Sequence, residues 1–463
     1  MTTLTLTSYG AAECVAGSKH LLQIDNQKIL VDIGHEYKDV RPDFEFDPKS
    51  LDALIITHAH ADHMGRLFDL ERRGFNGTIY CHAATRDLCR VQLEGELIGA
   101  RFRNGGRMSG YEITAAKRAI NDLLRKTTSF PYEQEHPISP CATRTTLDAG
   151  HIIGSEQNIL VVDKSISIGF SGDLGRTDVD TPMTCPPGKL PKHLDFYVLE
   201  GTYGAKRHQE TTNVKEELAE WIEKAYATRG KLVFPAFSMQ RTQNILIYLF
   251  QLYQEDKIPK DMPIYFDSPS AQKINGVMLF HKECFDLDAK QIFSDATYHP
   301  FHFPQLRYVR SKADSISLPA KPGAGIIITA SGMCHGGRVE NYLDDILASK
   351  RNFLVLTGYQ APGTPGYQLE KGVDEISFKG RKIPVKATIG RIRGFSGHSD
   401  CDESIKHIKE SNDPAKGEDF KGIFLVHGEK QELQDLKQEL HNAGYKKVIV
   451  VEHGKAYDLG SML

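Results

Sequence analysis

The sequence predicts an α/β protein with more than one domain. Three observations predict it. The chain has 463 residues, which at roughly 100–200 residues per domain means two to four domains, or one large domain carrying an insertion. Short apolar runs of strand length, bounded by turn residues, fill its first part. From about residue 206 to 386, helix-period and strand-period segments alternate, which is the pattern of parallel βαβ units.

The elements follow in order. Residues 3–7 and 19–33 read as strands, with Asp25–Asn26 as a turn. Leu51–Thr57 is a short apolar strand, followed by a helix over Ala61–Arg73, a strand at Thr78–Cys81 and a helix near Ala83–Leu93. Tyr111–Arg125 has helical spacing, Ile159–Asp163 and Ser167–Ser171 suggest paired strands, and Phe196–Leu199 is another strand. Beyond about 205 come helices at Val214–Tyr226, Gln240–Gln251, Ser270–Leu279 and Arg338–Ala348. They interleave with strands at Lys231–Phe234, Pro263–Asp267, Ala324–Thr329 and Arg351–Leu356. From about 387 the chain returns to short strands, Phe424–Val426 and Lys447–Val451, around a helix at Glu429–Ala443. The predicted domains are therefore 1–205, 206–386 and 387–463, the first and last forming one domain around the middle segment.

Composition narrows the class. Hydrophobic residues make up 40% and charged residues 25%, which excludes collagen, coiled-coil and disordered chains. No run approaches the ~18 continuous apolar residues of a membrane span, so no membrane partner is expected. The start lacks a basic segment followed by an apolar one, so no signal peptide is expected. The eight cysteines are scattered without a CxxC pair, which reads as reduced thiols in a cytoplasmic protein. Net charge is −3, yet residues 206–386 hold 24 Lys and Arg against 20 Asp and Glu, +4, leaving −7 elsewhere. That asymmetry suggests that the middle segment grips a polyanion through residues such as Lys206, Arg207, Arg241 and Arg338. Ordinary variation in surface charge is the alternative.

The strongest signal follows the strand Leu51–Thr57: His58-Ala-His60-Ala-Asp62-His63. Four ligand-type residues fall within six positions at a strand end, where His58 and His60 can face one centre and Asp62 and His63 a second. Zinc takes imidazole nitrogen and carboxylate oxygen readily, and two metals ~3.5–4 Å apart can clamp a phosphoryl group and acidify a water. A polar loop with Asp62 as a helix cap is the bland alternative. Three further residues fit the set: His151 between glycines in Gly150-His151-Ile152-Ile153-Gly154, Asp173 directly after an apolar strand, and His427 after the strand ending at Val426.

With these motifs the chain resembles the metallo-β-lactamase superfamily and, within it, the β-CASP nucleases. The HxHxDH run is similar to the superfamily signature. Asp32 in Ile29-Leu30-Val31-Asp32-Ile33-Gly34 resembles its early-strand aspartate, and His151 and Asp173 resemble its next two motifs. Glu200 in Leu199-Glu200-Gly201-Thr202-Tyr203-Gly204, His398 in Gly394-Phe395-Ser396-Gly397-His398 and His427 look like β-CASP motifs A, B and C. Pro235-Ala236-Phe237, Asp267-Ser268-Pro269, Ser331-Gly332-Met333 and Gly363-Thr364 extend the similarity over nearly the whole chain. Gly201 departs from the usual serine or alanine, Gly397 from alanine and Pro365 from leucine, and no ligand is lost.

The resemblance implies an αββα sandwich with an inserted α/β β-CASP domain and an active site in the cleft between them. It implies two zinc ions per chain, one held by His58, His60 and His151, the other by Asp62, His63 and His427, with Asp173 bridging. Asp62 and Asp32 are counted with the catalytic set, Asp32 standing behind the ligands to hold their loop. Water activated by the metals attacks phosphorus. His398, oriented by Glu200, protonates the departing 3′ oxygen, leaving 5′ phosphate and 3′ hydroxyl. Ser396 and Gly397 touch a neighbouring phosphate, Arg241 adds to the grip, and Ser331 opens a βα turn suited to phosphate, although serine there also serves as a cap. Histidine rather than valine at motif C points to RNA rather than DNA.

With 36 residues after His427, no further C-terminal domain is expected, which fits the compact bacterial type, similar to the catalytic subunit of the pre-mRNA 3′-end cleavage machinery. Endonucleolytic action is the expectation, and a homodimer is allowed for. Two alternatives stand beside it: a small-molecule hydrolase of the superfamily, which should lack the insertion, and a silent scaffold subunit, which should have lost ligands.

Overall fold

The computed structural model describes residues 3–36, 43–103, 108–177, 183–208 and 213–463. They form two compact units. The first comprises 1–180, 184–207 and 397–463, and the second 181–183 and 208–396.

The first unit holds two seven-stranded sheets. One runs Ala456–Asp458, Leu4–Ser8, His20–Ile24, Gln27–Val31, Ala53–Ile55, Thr78–Tyr80, Thr127–Thr128. The other runs Val448–Val450, Gly422–Val426, Phe196–Glu200, Ile166–Phe170, Glu156–Val162, Ala142–Asp148, Glu135–Ser139. Their inner faces share one core. Leu4, Leu6, Leu22, Ile29, Val31 and Ile55 meet Leu160, Ile168, Phe170, Val198, Phe424 and Val426. Period-two alternation explains how one strand serves two layers. In Gly422–Val426, Phe424 and Val426 face the partner sheet, while Ile423 and Leu425 pack with Leu433, Leu436 and Leu440 of the helix Lys430–Asn442. Helices Leu67–Arg72, Ala83–Arg103 and Gly110–Leu124 belong to the same unit. The layers are those of an αββα sandwich.

The second unit is built on a six-stranded, all-parallel sheet, in the order Leu306–Tyr308, Ile264–Asp267, Gly325–Thr329, Lys231–Pro235, Phe353–Leu356, Thr388–Arg391. The sequence assigns residues from 387 to the sandwich. The structure places Thr388–Arg391 instead at the edge of this sheet, paired with Phe353–Leu356, and the division falls at 396/397.

One local difference matters for the site. The helix predicted over Ala61–Arg73 is two pieces, Ala61–Met64 and Leu67–Arg72. The break docks the chain on the loop after Gln27–Val31. Ile33 N–H donates to His63 O at 2.7 Å, His35 N–H to Ala61 O at 2.8 Å and Arg66 N–H to Ile33 O at 2.9 Å. Gly34 permits this approach, since a Cβ there would lie 1.7 Å from Asp62 O. Backbone bonds between the two segments thus override local helix propensity.

Candidate metal centre

Strand ends bring the candidate residues together. Asp32 follows Gln27–Val31, and His58 follows Ala53–Ile55, its parallel neighbour. Glu200 ends Phe196–Glu200 and His427 follows Gly422–Val426, again parallel neighbours, with Glu200 opposite Val426. Asp173 follows Ile166–Phe170, and His151 lies between the antiparallel strands Ala142–Asp148 and Glu156–Val162. All belong to the first unit.

Ligand atoms of His58, His60, His151 and Asp173 all lie within 4.8 Å of one another. His60 Nδ1 is 3.1 Å from His58 Nε2 and 3.2 Å from His151 Nε2. Asp173 Oδ2 is 3.4 Å from His58 Nε2 and 3.6 Å from His151 Nε2. Burial pushes His58 and His151 well below the ordinary imidazole range and His60 down to about 4, so these rings are neutral and offer lone pairs. The far nitrogens of His58 and His151 are engaged. His151 Nδ1–H donates to Gly397 O at 2.7 Å. Thr57 Oγ1 donates to Asp32 Oδ2 at 2.8 Å and so can accept from His58 Nδ1–H at 3.1 Å. Both bonds leave Nε2 free for a cation.

A second group joins Asp62, His63 and His427. His63 Nε2 is 3.1 Å from His427 Nε2 and 3.2 Å from Asp173 Oδ1, and Asp62 Oδ2 is 3.6 Å from His427 Nε2. His63 Nδ1–H donates to Asp32 Oδ2 at 2.7 Å, and Thr202 Oγ1 lies 3.0 Å from His427 Nδ1. Asp32 thus touches His63 and Thr57 and positions them. Burial disfavours charge on His63, but the carboxylates of Asp173 and Asp32 outweigh it and hold the ring well above its usual range. The site favours positive charge there. Asp173 Oδ1 is buried and accepts no well-aligned hydrogen bond, so its lone pairs remain for a cation. Imidazole nitrogens with carboxylate oxygens are a donor set that suits zinc.

Beside these groups His398 Nδ1–H donates to Glu200 Oε1 at 3.0 Å, and His398 remains 23% exposed in side chain. Glu200 is fixed by the amides of Leu174 at 2.8 Å and Thr202 at 3.2 Å. Burial opposes charge on His398, but Glu200, with Asp173 and Asp62, pushes it up to about 9. Gly201, unusual against the motif, has a packing reason: a Cβ there would lie 2.5 Å from Leu433 Cδ2.

The substrate-side candidates fare differently. The carbonyl of Gly397 is taken by His151. Ser331 Oγ donates to His335 O at 2.5 Å, and Arg241 donates to the carbonyl of Thr357. Ser331, Arg241 and Ser396 all lie in the second unit. Arg338 is bound to Asp267 Oδ1 at 3.0 Å and to the carbonyls of Ser311 and Arg310. Lys206 pairs with Glu432, and Arg207 with Asp402 and Glu439. Sequence reasoning missed Thr57 and the Gly397 carbonyl.

Two facing sheets with a histidine–aspartate cluster at their strand ends define a metal-dependent hydrolase of the metallo-β-lactamase type. The superfamily's own pattern matches residues 14–141, that of the Beta-Casp domain 242–369, and that of the Zn-dependent metallo-hydrolase RNA specificity domain 382–451. Ribonuclease TTHA0252 of Thermus thermophilus is 30% identical over 435 residues, 93% of this chain and 94% of that protein. The chain therefore belongs to the β-CASP family of the metallo-β-lactamase superfamily. Transcription termination factor FttA of Methanococcus maripaludis is 27% identical over 89% of this chain, and the match spans 65% of that factor's length. A crystal structure of a protein of unknown function from Enterococcus faecalis V583 matches with a TM-score of 0.54 at 12% identity, covering 98% of this chain and 99% of that one, which is a likeness of fold. Among the described residues no helix is long and apolar enough to cross a membrane.

Proposed function

We propose that this protein is an endonucleolytic ribonuclease that uses two zinc ions and leaves 5′ phosphate and 3′ hydroxyl ends. The observation that carries the proposal is the pair of ligand groups meeting at Asp173, with the His398–Glu200 pair beside them. One ion would be held by His58, His60 and His151, the other by Asp62, His63 and His427, with Asp173 serving both. Zinc there would polarise a phosphoryl group and make a water acidic enough to attack at neutral pH. The chain's own residues supply the rest. Thr57, Gly397 and Asp32 fix ring orientations. His398 holds a proton on the exposed side of the cluster and delivers it to the departing 3′ oxygen, while Glu200 keeps the ring charged and aimed. RNA as substrate draws support from the RNA specificity domain match and from a relative named a ribonuclease. A silent scaffold is disfavoured, because every ligand position is filled by a ligand-type side chain.

The test is cleavage of 5′-labelled and internally labelled RNA by wild type and Asp173→Asn, with zinc measured per chain. Wild type should give internal fragments and hold two zinc ions. The variant should stay folded, hold less zinc and lose cleavage. Stepwise release of mononucleotides from the 5′ end would overturn the endonucleolytic part. Full activity of the variant at normal zinc content would overturn the metal assignment.

A further inference from the structure

The parallel sheet of the second unit has a switch point. From Lys231–Pro235 the chain runs through the helix Arg241–Gln254 to Ile264–Asp267, on the side of Gly325–Thr329. From Gly325–Thr329 it crosses through Leu343–Leu347 to Phe353–Leu356, on the opposite side of Lys231–Pro235. Connections leaving two adjacent strands thus run in opposite directions, each past the other strand, and in open α/β sheets ligands bind at the carboxyl ends where the direction reverses. Three loops leave those ends here, beginning at Ala236, Ala330 and Thr357.

The third loop is held on both sides. Thr357 Oγ1 donates to Pro235 O at 3.1 Å, and Arg241 donates to Thr357 O. Gly358 lies so close to Phe237 that an added Cβ would stand 3.1 Å from its ring. Gln360 Nε2 donates to Gly332 O and Gly358 O, both at 3.0 Å, and Gly366 N–H donates to Met333 O at 3.0 Å. Thr357 and Gln360 are 1% and 2% exposed, yet Tyr359 between them is 55% exposed. A fixed backbone therefore carries a large, half-exposed aromatic side chain on the third loop. Arg241 and Ser331 each donate to a backbone carbonyl of these loops.

We propose that Tyr359 is a stacking platform for one base of single-stranded RNA. The proposal rests on the ribonuclease reading above and names a substrate subsite for it. A ring on an immobilised loop loses little entropy on binding, and every base offers a π-face, so such a contact gives affinity with little sequence preference. A base stacked on an aromatic side chain corresponds to about 5- to 150-fold in binding.

The test is a coupling cycle between protein and RNA. Wild type, Tyr359→Ala and Tyr359→Phe cleave a set of oligoribonucleotides, each lacking one base but keeping its sugar and phosphate. Hydrolysis of bis(p-nitrophenyl) phosphate serves as the readout of the metal centre. At one position, loss of the base should slow wild type about 5- to 150-fold in kcat/KM and scarcely affect Tyr359→Ala, which is already slowed on intact RNA. Tyr359→Phe should behave as wild type, and the small phosphodiester should be hydrolysed equally by all three. If wild type cleaves RNA but no missing base couples to Tyr359→Ala, the stacking proposal falls while the ribonuclease reading stands, and the ring faces a partner other than RNA. If Tyr359→Ala slows the small substrate equally, its effect is structural and the proposal also falls. If wild type cleaves no RNA, both fall.

Discussion

The two units differ in what surrounds the charged side chains that the sequence singles out. In the sandwich unit, carboxylates and imidazoles converge on one place, and buried Asp173 is left with an oxygen that accepts no well-aligned hydrogen bond. In the inserted unit, Arg338, which the charge count singles out, and several other basic residues are tied to their own neighbours. Arg338 meets Asp267, Lys379 meets Glu340, Arg381 meets Asp344 and Lys382 meets Glu375. The contrast separates two kinds of sequence evidence. A cluster of ligand-type residues at strand ends keeps its meaning after folding, because the strands deliver those side chains to one place. A charge count does not, because the availability of each cation depends on which carboxylate folds against it.

The sharpest way to break this contrast is at the sandwich end. An alkoxide leaving group needs a proton in the transition state, a contribution of ~10²–10⁴-fold. His398→Ala should therefore cleave ordinary RNA slower by that factor while keeping its zinc. It should recover most of its rate on RNA carrying sulfur at the bridging 3′ position, since a thiolate leaves without help. Glu200→Gln should be a milder version. If sulfur rescues neither variant, the proton comes from elsewhere.

A smaller effect belongs to Asp32, which lies behind the ligands. It fixes the His63 tautomer directly and the His58 ring through Thr57. Removing such support typically costs 10–100-fold in metal affinity or activity. Asp32→Asn should need correspondingly more zinc for half-maximal activity and approach wild-type rate at saturation. A variant with unchanged zinc affinity would show that backbone stitching alone aligns the site.

Much of the site was legible because its residues are few in type and strict in place. The HxHxDH run, Asp173 and His427 each follow a strand, and the sheets converge those ends. What was not legible came from contacts distant in sequence. Nothing local to Thr57 announces that its hydroxyl would link Asp32 to His58, and a glycine carbonyl such as that of Gly397 carries no sequence signature at all. The break in the helix after Met64 comes from backbone pairing with residues 33–35. Thr388–Arg391 escaped assignment to the insertion because a half-exposed edge strand lacks a buried apolar face. The helix Cys401–Lys409 does carry a local signal, the capping box of Asp400 and Glu403.

In the insertion, removing Arg338 should leave RNA handling nearly untouched. Arg338 reads as a phosphate contact by residue type, but its guanidinium spans Asp267 and two backbone carbonyls. Asp267 is fully buried, and burial raises its pKa against the pull of Ser315 and Arg338. Arg338→Ala removes a cationic partner from a buried carboxylate, whereas Ser315 Oγ still donates to it. Stranding a buried charge is costly, and with Arg338 partly exposed the loss should be about 2–3 kcal/mol of unfolding free energy. Asp267→Asn in the same chain should recover part of that loss, because the amide needs no counter-charge. Each phosphate contact to a single strand contributes about 0.7 to the slope of log affinity against log salt, and Arg338→Ala should leave that slope unchanged. A slope lower by about that amount, with stability intact, would mean that Arg338 leaves Asp267 to hold RNA, and the contrast between the two units would fail at its most buried pair.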